Sequence, residues 1–410
     1  MSRERNFAGA EWFATPAVRR LFAVLDQEGD EARIIGGAVR DALLGRRIGD
    51  LDFATTATPD IVVRRAGAAG IKTVPTGIEH GTVTLIVDGE GHQVTTLRED
   101  VETDGRRAVV RFGRDWAADA RRRDFTVNAL SVDSAGRVHD PLGGMADVDA
   151  RRIRFIGEAD QRIAEDRLRI LRFFRLHAEL EAGDLDTAGL GAAIRGRDGI
   201  RELSAERVAQ EMRRLLVAPG AAPTVTAMQE GGILPVVLGG IGYVATFARL
   251  VEFEKAAGVA PAFAPRMTGL AARIGEDAER VAARLKLSNA ERSRMVAAIA
   301  VAGELAAVPD ERTARRLLYR VKEEAYRDGV ALAAAWAGDG RWLAAWSLPE
   351  RWPAPAFPLT GADVLAVAGG PGPAVGAVLR SLEAWWIGED FRPDAAALRA
   401  RLQQIVAGQQ

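Results

Sequence analysis

The chain has 410 residues, with 55 Lys and Arg against 56 Asp and Glu, a net charge of −1, and no cysteine. The lack of cysteine excludes disulfides, thiolate metal sites and cysteine nucleophiles, and the near-zero net charge argues against an indiscriminate polycation. Apolar runs are shorter than the roughly 20 residues of a membrane span, and the N-terminal residues lack a signal-peptide core, so we expect a cytoplasmic protein without membrane contact.

The first 150 residues are predicted to alternate between short strands and helices. An amphipathic segment that starts at Pro16 predicts a helix ending at Gly29. The strand-like runs are 32–37, 50–55, 71–75, 80–89, 92–98 and 128–140, and the helical segments between them include 38–45 and 59–70. This mixture predicts an α+β head around one mixed or antiparallel sheet.

Beyond residue 151 the pattern becomes helical. Strand signals nearly vanish, and apolar residues recur at helical spacing in four long segments. The proline-rich stretch 351–360 predicts a linker into a last helical part. The predicted regions are therefore a head (1–150), followed by an all-α neck (151–220), body (221–350) and tail (351–410).

A glycine pair and two aspartates form the most informative pattern of the head. Gly36 and Gly37 follow a short apolar strand and precede a helix, where backbone N–H groups can approach a phosphate. Asp50 and Asp52 are separated by one residue, so on a strand their carboxylates share a face. Such a pair can bind two divalent cations for nucleotidyl transfer, and oxygen-only ligands favour Mg²⁺. The alternative is an exposed edge strand with solvated aspartates.

A second polar cluster is predicted on a helix around 164–172. Glu165, Arg169 and Arg172 recur at helical spacing. Asp166 stands three residues before Arg169, which places all four side chains on one predicted helix face. A neighbouring carboxylate and guanidinium can bind the amine and ring-nitrogen edge that cytosine and adenine share and that uracil and guanine lack. The alternative is a surface ion pair worth about 0.2–0.5 kcal/mol.

Five segments in this order resemble the class II tRNA CCA-adding enzymes and their bacterial poly(A) polymerase relatives, of the DNA polymerase beta superfamily. They are GGAVRDALLG with GDLDFAT, RRDFTVNAL (122–130), DPLGGMAD (140–147), AEDRLRILR (164–172) and AERVAQEMRRLL (205–216). The resemblance implies template-independent addition of CCA to tRNA 3′ ends from CTP and ATP, with release of pyrophosphate and two Mg²⁺ ions as the cofactor. It also implies that neck residues select the nucleotide and that body and tail bind the tRNA elbow and acceptor end, and it implies no obligate protein partner.

The same resemblance assigns site residues. Asp50 and Asp52 are expected to be the catalytic metal ligands. The expected nucleotide-binding residues are Gly36, Gly37, Arg40, Arg123, Asp124, Asn128, Glu165, Asp166, Arg169 and Arg172. The polar stretch 98–121 resembles a loop near the active site, and we expect it to be mobile and to gate the change from C to A addition.

One departure and several alternatives stay open. Relatives commonly have glutamate where this chain has Gln93, which cannot supply a charged metal ligand. A bacterial poly(A) polymerase, or an enzyme that adds only C or only A, would share every motif quoted. A catalytically inactive RNA-binding protein is the least favoured alternative, because both aspartates are present.

Positive charge is concentrated locally although the whole chain is nearly neutral. Residues 151–175 have a net charge of +4 and residues 311–320 a net charge of +3. This distribution predicts a nucleotide site and a tRNA-binding face rather than a uniformly basic surface.

Overall fold

The computed structural model describes residues 5–77, 81–101, 109–368 and 374–407. The chain forms two compact units, which meet in sequence between Val237 and Leu238. The finer division into head, neck, body and tail stays a prediction. No helix within the described ranges combines the length and the apolar character needed to cross a bilayer.

The N-terminal part of the first unit mixes strands and helices. Its elements are α1 (Pro16–Leu25), β1 (Ala32–Ile35), α2 (Gly37–Leu43), β2 (Asp52–Thr55), α3 (Pro59–Ala68), β3 (Lys72–Gly77), β4 (Thr82–Val87), β5 (Glu90–Thr96), β6 (Arg98–Val101), β7 (Val109–Phe112), α4 (Trp116–Arg121), β8 (Ser131–Asp133), β9 (Val138–His139) and α5 (Gly144–Asp149). A 3-10 turn at Thr126–Asn128 precedes β8.

Seven of these strands form one mixed sheet in the order β3–β4–β5–β2–β1–β8–β9. β2 and β5 run parallel, and the other neighbours are antiparallel. Ile34 and Phe53 are fully buried. Alternate residues of a strand point to the same side of the sheet, so these two side chains mark the side that faces the core. The pairing of Ile35 with Asp52 brings the end of β1 next to the start of β2. The glycine turn and the aspartate segment therefore meet at one edge of the sheet, the edge formed by the C-terminal end of β1 and the N-terminal end of β2.

Two local predictions in this part are wrong. The first helix ends at Leu25, not at Gly29, because Asp26 already leaves the helical region (φ −99°, ψ 65°), and Glu28 and Gly29 then have positive φ angles. β2 begins at Asp52, so Asp50 lies before the strand and does not share a strand face with Asp52. Sequence alternation alone could not locate the first paired residue.

The segment 98–121, predicted as a mobile loop, contains secondary structure at both ends. β6 and β7 form a separate two-stranded antiparallel ladder, and α4 follows. After β7, Arg114 donates to Asp30 Oδ1 at 2.6 Å. Residues 102–108 lie outside the described residues, so the predicted mobility and gating stay a prediction.

The remainder of the first unit is helical. Its helices are α6 (Ala159–Glu165), α7 (Leu168–Leu180), α8 (Thr187–Gly196), α9 (Ala205–Val217), α10 (Ala221–Glu230) and α11 (Ile233–Leu238), with a 3-10 segment at Arg197–Glu202. Phe125, Phe155 and Phe173 pack with ring centroids 4.7, 5.6 and 6.3 Å apart. This aromatic cluster fixes α7 against the segment that follows α4.

The prediction of one helix through 164–172 is wrong. α6 ends at Glu165, and Asp166 has extended backbone angles (φ −149°, ψ 107°). Its Oδ1 accepts a hydrogen bond from the N–H of Leu168 at 3.1 Å, at the start of α7. Short polar side chains favour such local bonds over continuing a helix, so Asp166 does not share a continuous helix face with Arg169.

The regular secondary structure in the described residues of the second unit is all helical. Its helices are α12 (Val244–Ala257), α13 (Phe263–Ala271), α14 (Gly275–Leu285), α15 (Asn289–Glu304), α16 (Glu311–Val321), α17 (Glu323–Ala337), α18 (Leu343–Trp346), α19 (Leu348–Arg351), α20 (Gly361–Ala368), α21 (Ala374–Gly388) and α22 (Ala395–Ala407), with a 3-10 turn at Gly340–Trp342. A Cβ at Gly329 of α17 would lie 2.3 Å from the Val301 side chain of α15, so these two helices require glycine for their close packing.

Two arginines of the basic segment 311–320 bind a helix end within the protein. Arg312 and Arg316 of α16 both donate to the carbonyl of Gly388, at the C-terminal end of α21. Cationic side chains stabilise a helix end in this way, because the last carbonyls have no partner within the helix. The predicted role of this segment in a tRNA-binding face stays a prediction.

Candidate active site

A pocket of about 540 Å³ lies in the first unit at the C-terminal end of β1. Its volume suits a nucleotide-sized ligand, and its seven arginines against three aspartates favour an anionic one. Its lining residues are Ile35, Gly36, Gly37, Arg40, Asp52, Arg123, Asp124, Asn128, Asp166, Leu168, Arg169, Arg172, Arg175, Leu176, Arg207 and Arg214. Ten of the twelve site residues that the sequence singled out are among them; Asp50 and Glu165 are not.

Gly36 makes the turn from β1 into α2. Its backbone angles (φ 72°, ψ −129°) are open to glycine but strained for other residues. An added Cβ would meet Arg123 Nη1 at 3.5 Å, which is an ordinary contact. The requirement for glycine is therefore conformational. The guanidinium groups of Arg123 and Arg40 lie beside Gly36 and Gly37 respectively, each 3.5 Å from where a Cβ would stand.

A chain of hydrogen bonds connects four of the lining side chains. Arg40 Nη1 donates to Asn128 Oδ1 at 2.7 Å, and Asn128 Nδ2 donates to Asp124 Oδ1 at 3.1 Å. Arg172 Nε donates to Asp124 Oδ2 at 2.7 Å. Burial opposes ionisation of Asp124, but the charge of Arg172 and the hydrogen bonds from Asn128 and Arg172 outweigh it and lower the pKa of Asp124. Asp124 thus fixes residues of α2, of the 3-10 turn and of α7 in one arrangement.

Arg123 is held by α4 and by the 3-10 turn. Its Nη2 donates to Asp119 Oδ2 at 3.2 Å, and its Nη1 donates to the carbonyl of Asn128 at 3.4 Å. Arg162 of α6 donates to the carbonyl of Arg123. Asp119 and Asn128 therefore hold the guanidinium of Arg123, while α6 holds its backbone.

Asp52 and Asp50 are close enough to interact, although only Asp52 lines the pocket. Burial raises the pKa of Asp52, the charge of Asp50 raises it further, and Arg123 lowers it in part. Gln93 lies beside Asp52 on the neighbouring strand, because the register pairs Phe53 with Val94. The residue beside the two aspartates at this edge therefore carries a neutral amide instead of a third carboxylate.

These residues fit a hard divalent cation. Two mutually repelling carboxylates supply charged oxygen ligands, which such cations prefer, and the Gln93 amide oxygen is a neutral ligand of the same type. Within the described part of the chain, no group of three or more His, Asp or Glu side chains is arranged to hold a metal ion. A cation bound at this edge would therefore have two charged ligands, Asp50 and Asp52.

Asp166 and Arg169 both line the pocket, but each has a different partner. Arg207 Nη2 donates to Asp166 Oδ2 at 2.9 Å. Arg169 Nη1 donates to Glu165 Oε2 at 2.6 Å and to the carbonyl of Arg162 at 2.8 Å. Glu165 is outside the pocket lining, and its hydrogen bond with Arg169 orients that guanidinium.

Three arginines that the sequence did not single out also line the pocket: Arg175, Arg207 and Arg214. Burial lowers the pKa of Arg175, but the charges of Glu179 and Glu211 outweigh it and raise that pKa. Arg214 pairs with the same Glu179 at 2.9 Å. A signal existed, because Arg207 and Arg214 are seven residues apart in segment 205–216 and so share a helix face.

Comparisons with known proteins agree with this geometry. Residues 32–154 match the family model described as the Poly A polymerase head domain. The chain is 32% identical over 400 residues to CCA tRNA nucleotidyltransferase 1, mitochondrial, of Mus musculus, which covers 95% of this chain and 90% of the mouse protein. It is 41% identical over 212 residues to the CCA-adding enzyme of Geobacillus thermodenitrificans, which covers 51% of each chain.

A solved structure extends the similarity over nearly the whole chain. The crystal structure of the Bacillus stearothermophilus CCA-adding enzyme in complex with CTP superposes with a TM-score of 0.77 at 28% identity, covering 96% of this chain and 99% of that one. The expected fold, a nucleotidyltransferase head followed by helices, is confirmed. The mixed sheet, the arginine-lined pocket and these near full-length similarities place the chain in the family of CCA-adding tRNA nucleotidyltransferases.

Proposed function

We propose that this enzyme adds CCA to the 3′ ends of tRNA, without a template, from CTP and ATP. The proposal rests on one observation above all: a single pocket joins Asp52 at the sheet edge to Asp166 and Arg169 at the start of α7. The reacting phosphate and the base of one nucleotide can therefore be bound together. The mouse relative is named a CCA tRNA nucleotidyltransferase, and the Bacillus stearothermophilus structure contains CTP.

The triphosphate would lie against the glycine turn. Arg40 and Arg123 present guanidinium groups beside Gly36 and Gly37, and guanidinium groups stabilise the charge that develops as pyrophosphate leaves. Asn128 and Asp119 hold these two arginines beside the glycine turn before a nucleotide binds.

Asp50 and Asp52 would hold two divalent cations, which we propose to be Mg²⁺ ions. When bound, Mg²⁺ supplies activation of the tRNA 3′-hydroxyl and stabilisation of the leaving oxygens. The role of the protein at this edge is to hold the two carboxylates close together, with the charge of Arg123 opposing part of the rise in the pKa of Asp52. The neutral Gln93 removes one charged ligand, so we expect weaker cation binding than a glutamate there would give.

Base selection would use Asp166 and Arg169. The carboxylate accepts from an exocyclic amine and the guanidinium donates to the adjacent ring nitrogen, a combination that cytosine and adenine satisfy. The two side chains come from the break between α6 and α7 rather than from one helix face. Glu165 and Arg207 hold them separately, so each can be tested by itself.

The alternatives differ in what supports them. Poly(A) polymerase is supported only by the description of the head-domain model, which covers 32–154. The relative matched over nine-tenths of both chains is named for CCA addition, which disfavours a poly(A) polymerase and an inactive RNA-binding protein. The cytoplasmic location stays a prediction, since that relative is mitochondrial by name.

Purified protein incubated with tRNA lacking CCA tests the proposal. CTP alone should add two nucleotides, CTP with ATP should add three, and ATP alone should add none. Asp52→Ala should abolish incorporation while tRNA binding persists. Long A-tails on generic RNA would refute CCA addition, and an active Asp52→Ala enzyme would refute the metal assignment.

A further inference from the structure

Two arginines of the second unit converge on one buried hydroxyl. Arg273 Nη2 donates to Thr246 Oγ1 at 2.7 Å, and Arg249 Nη2 donates to the same oxygen at 3.4 Å. Thr246 is buried, whereas Arg249 is exposed and Arg273 half-buried. The shared acceptor thus holds two guanidinium groups side by side at the surface.

Neither guanidinium forms an ion pair with a carboxylate among the residues that the structure describes. Arg249 donates its Nε to the carbonyl of Ala335 at 2.6 Å. Burial lowers the pKa of Arg273 and the charge of Arg249 lowers it further, while Tyr243 raises it in part. By contrast, Arg294 of the same unit pairs with a carboxylate, Asp328, at 2.6 Å. Asp277 accepts from the backbone N–H of Arg273 at 3.0 Å, not from its guanidinium. Two adjacent guanidinium groups that pair with no carboxylate repel each other, and an anion bound between them relieves that repulsion.

Two aromatic rings fix the orientation of Arg273. Its guanidinium carbon lies 4.8 Å from the centroid of Tyr243 and 5.2 Å from that of Trp336. Stacking of this kind covers the faces of the guanidinium and leaves the N–H groups at its edge able to donate hydrogen bonds to a phosphate. The next residue, Ile274, is 57% exposed and gives an apolar surface beside the cations. Phosphate contacts next to apolar and aromatic surface are typical of RNA-binding proteins.

We propose that Arg249 and Arg273 bind a backbone phosphate of the tRNA substrate. This inference rests on the proposed function, because it takes tRNA as the RNA that the enzyme binds. Thr246 sets the spacing of the two guanidinium groups, and Tyr243 and Trp336 hold Arg273. A free nucleotide offers the same phosphate chemistry, so the experiment separates the two sources.

The test compares full-length wild type with Arg249→Gln/Arg273→Gln and with the matched control Arg292→Gln. Arg292 is a surface arginine of the same unit that pairs with Glu279 at 2.7 Å. Fluorescence anisotropy measures the Kd for tRNA lacking CCA at several salt concentrations, and equilibrium dialysis measures the Kd for CTP. Thermal unfolding checks each fold, and the single Arg249→Gln variant removes one exposed contact if the double variant does not fold.

The double variant should weaken tRNA binding about tenfold, because charge-assisted hydrogen bonds to phosphate are lost. It should also reduce the salt slope of log Kd by about one, as expected for one lost phosphate contact. The control and the Kd for CTP should not change. Arg249→Gln alone should weaken tRNA binding in the same direction.

Unchanged tRNA affinity in folded variants would overturn the inference, and so would a weaker Kd for CTP with unchanged tRNA affinity. Failure of the proposed function has a different signature. If the wild type adds no CCA but the double variant still loses RNA affinity and salt slope, the phosphate site stands and the assigned reaction is wrong.

Discussion

Asp124→Asn tests whether the hydrogen-bonded chain behind the pocket stabilises the first unit. Asp124 is 8% exposed and accepts from Arg172 at 2.7 Å, from Asn128 at 3.1 Å and from the N–H of Phe125 at 2.9 Å. An asparagine has one acceptor oxygen and one donor NH₂. Whichever way the amide turns, its NH₂ faces another donor. The substitution therefore removes the nearer counter-charge of Arg172, leaving Glu211 at 3.9 Å, and at least one hydrogen bond.

The expected cost follows from the exposure of Arg172. Breaking a fully buried ion pair costs about 3–5 kcal/mol, but the Arg172 side chain is 34% exposed and water can solvate it after the change. We therefore expect a loss of about 2 kcal/mol in the free energy of unfolding. Since about 1.4 kcal/mol is a factor of ten, the slowest-exchanging amides of α7 should exchange about thirtyfold faster.

Hydrogen exchange followed by mass spectrometry measures this change directly. The matched control is Asp160→Asn, which removes a carboxylate whose pair with Arg195 at 2.7 Å is exposed on both sides. Exposed pairs contribute little to stability, so protection of α7 should be unchanged. Equal effects of both substitutions, or no effect of Asp124→Asn, would refute the reasoning that burial of this carboxylate makes it structurally important.

Three further predictions concern single residues. Gly36→Ala should lower the free energy of unfolding by about 1–3 kcal/mol, because alanine is strained at φ 72° and ψ −129°, and a thermal melt equal to wild type would contradict this. Buried Asp147 has a lowered pKa, because hydrogen bonds from its partners outweigh burial. It therefore stabilises the fold above its ordinary pKa of 3.8, and this contribution is lost as the pH falls through its folded-state pKa. Urea midpoints measured between about pH 5 and pH 2 should fall less in Asp147→Asn than in wild type. Arg169→Ala should relax discrimination of CTP and ATP against UTP and GTP more than it slows turnover, whereas Arg292→Gln should not; unchanged discrimination would exclude Arg169 from base selection.

Local patterns predicted much of the head correctly. Strands β1, β2, β4, β8 and β9 fall within the predicted runs, and β3 and β5 overlap theirs but each extends two residues beyond one end. Strands could be predicted because alternation of buried and exposed residues is a property of each strand alone. The turn at Gly36 was predictable for the same reason, since only its own backbone angles demand glycine. The ladder of β6 and β7 was not predicted, because its two four-residue strands, REDV and VVRF, contain charged residues and give no sustained alternation of apolar and polar residues.

The candidate site was also predicted in part from the sequence. Its residue types and their order could be identified from the sequence, since motifs are local and ten of the twelve predicted residues line one pocket. Their roles as ligands stay predictions. The helix break at Asp166 was missed, because helical spacing counts residues and does not include the local bond from Leu168 to the Asp166 side chain.

By itself, the sequence determined the fold class, the family and the residues to inspect, because these depend on local periodicity and on motif order. Only the tertiary structure decided which charges neutralise each other. Arg207 pairs with Asp166 across 41 residues, and Arg172 pairs with Asp124 across 48. In the second unit, Arg249 and Arg273 meet instead on one hydroxyl without a carboxylate among the described residues. Packing of helices distant in sequence sets these distances, and electrostatic interaction depends on distance in space rather than along the chain.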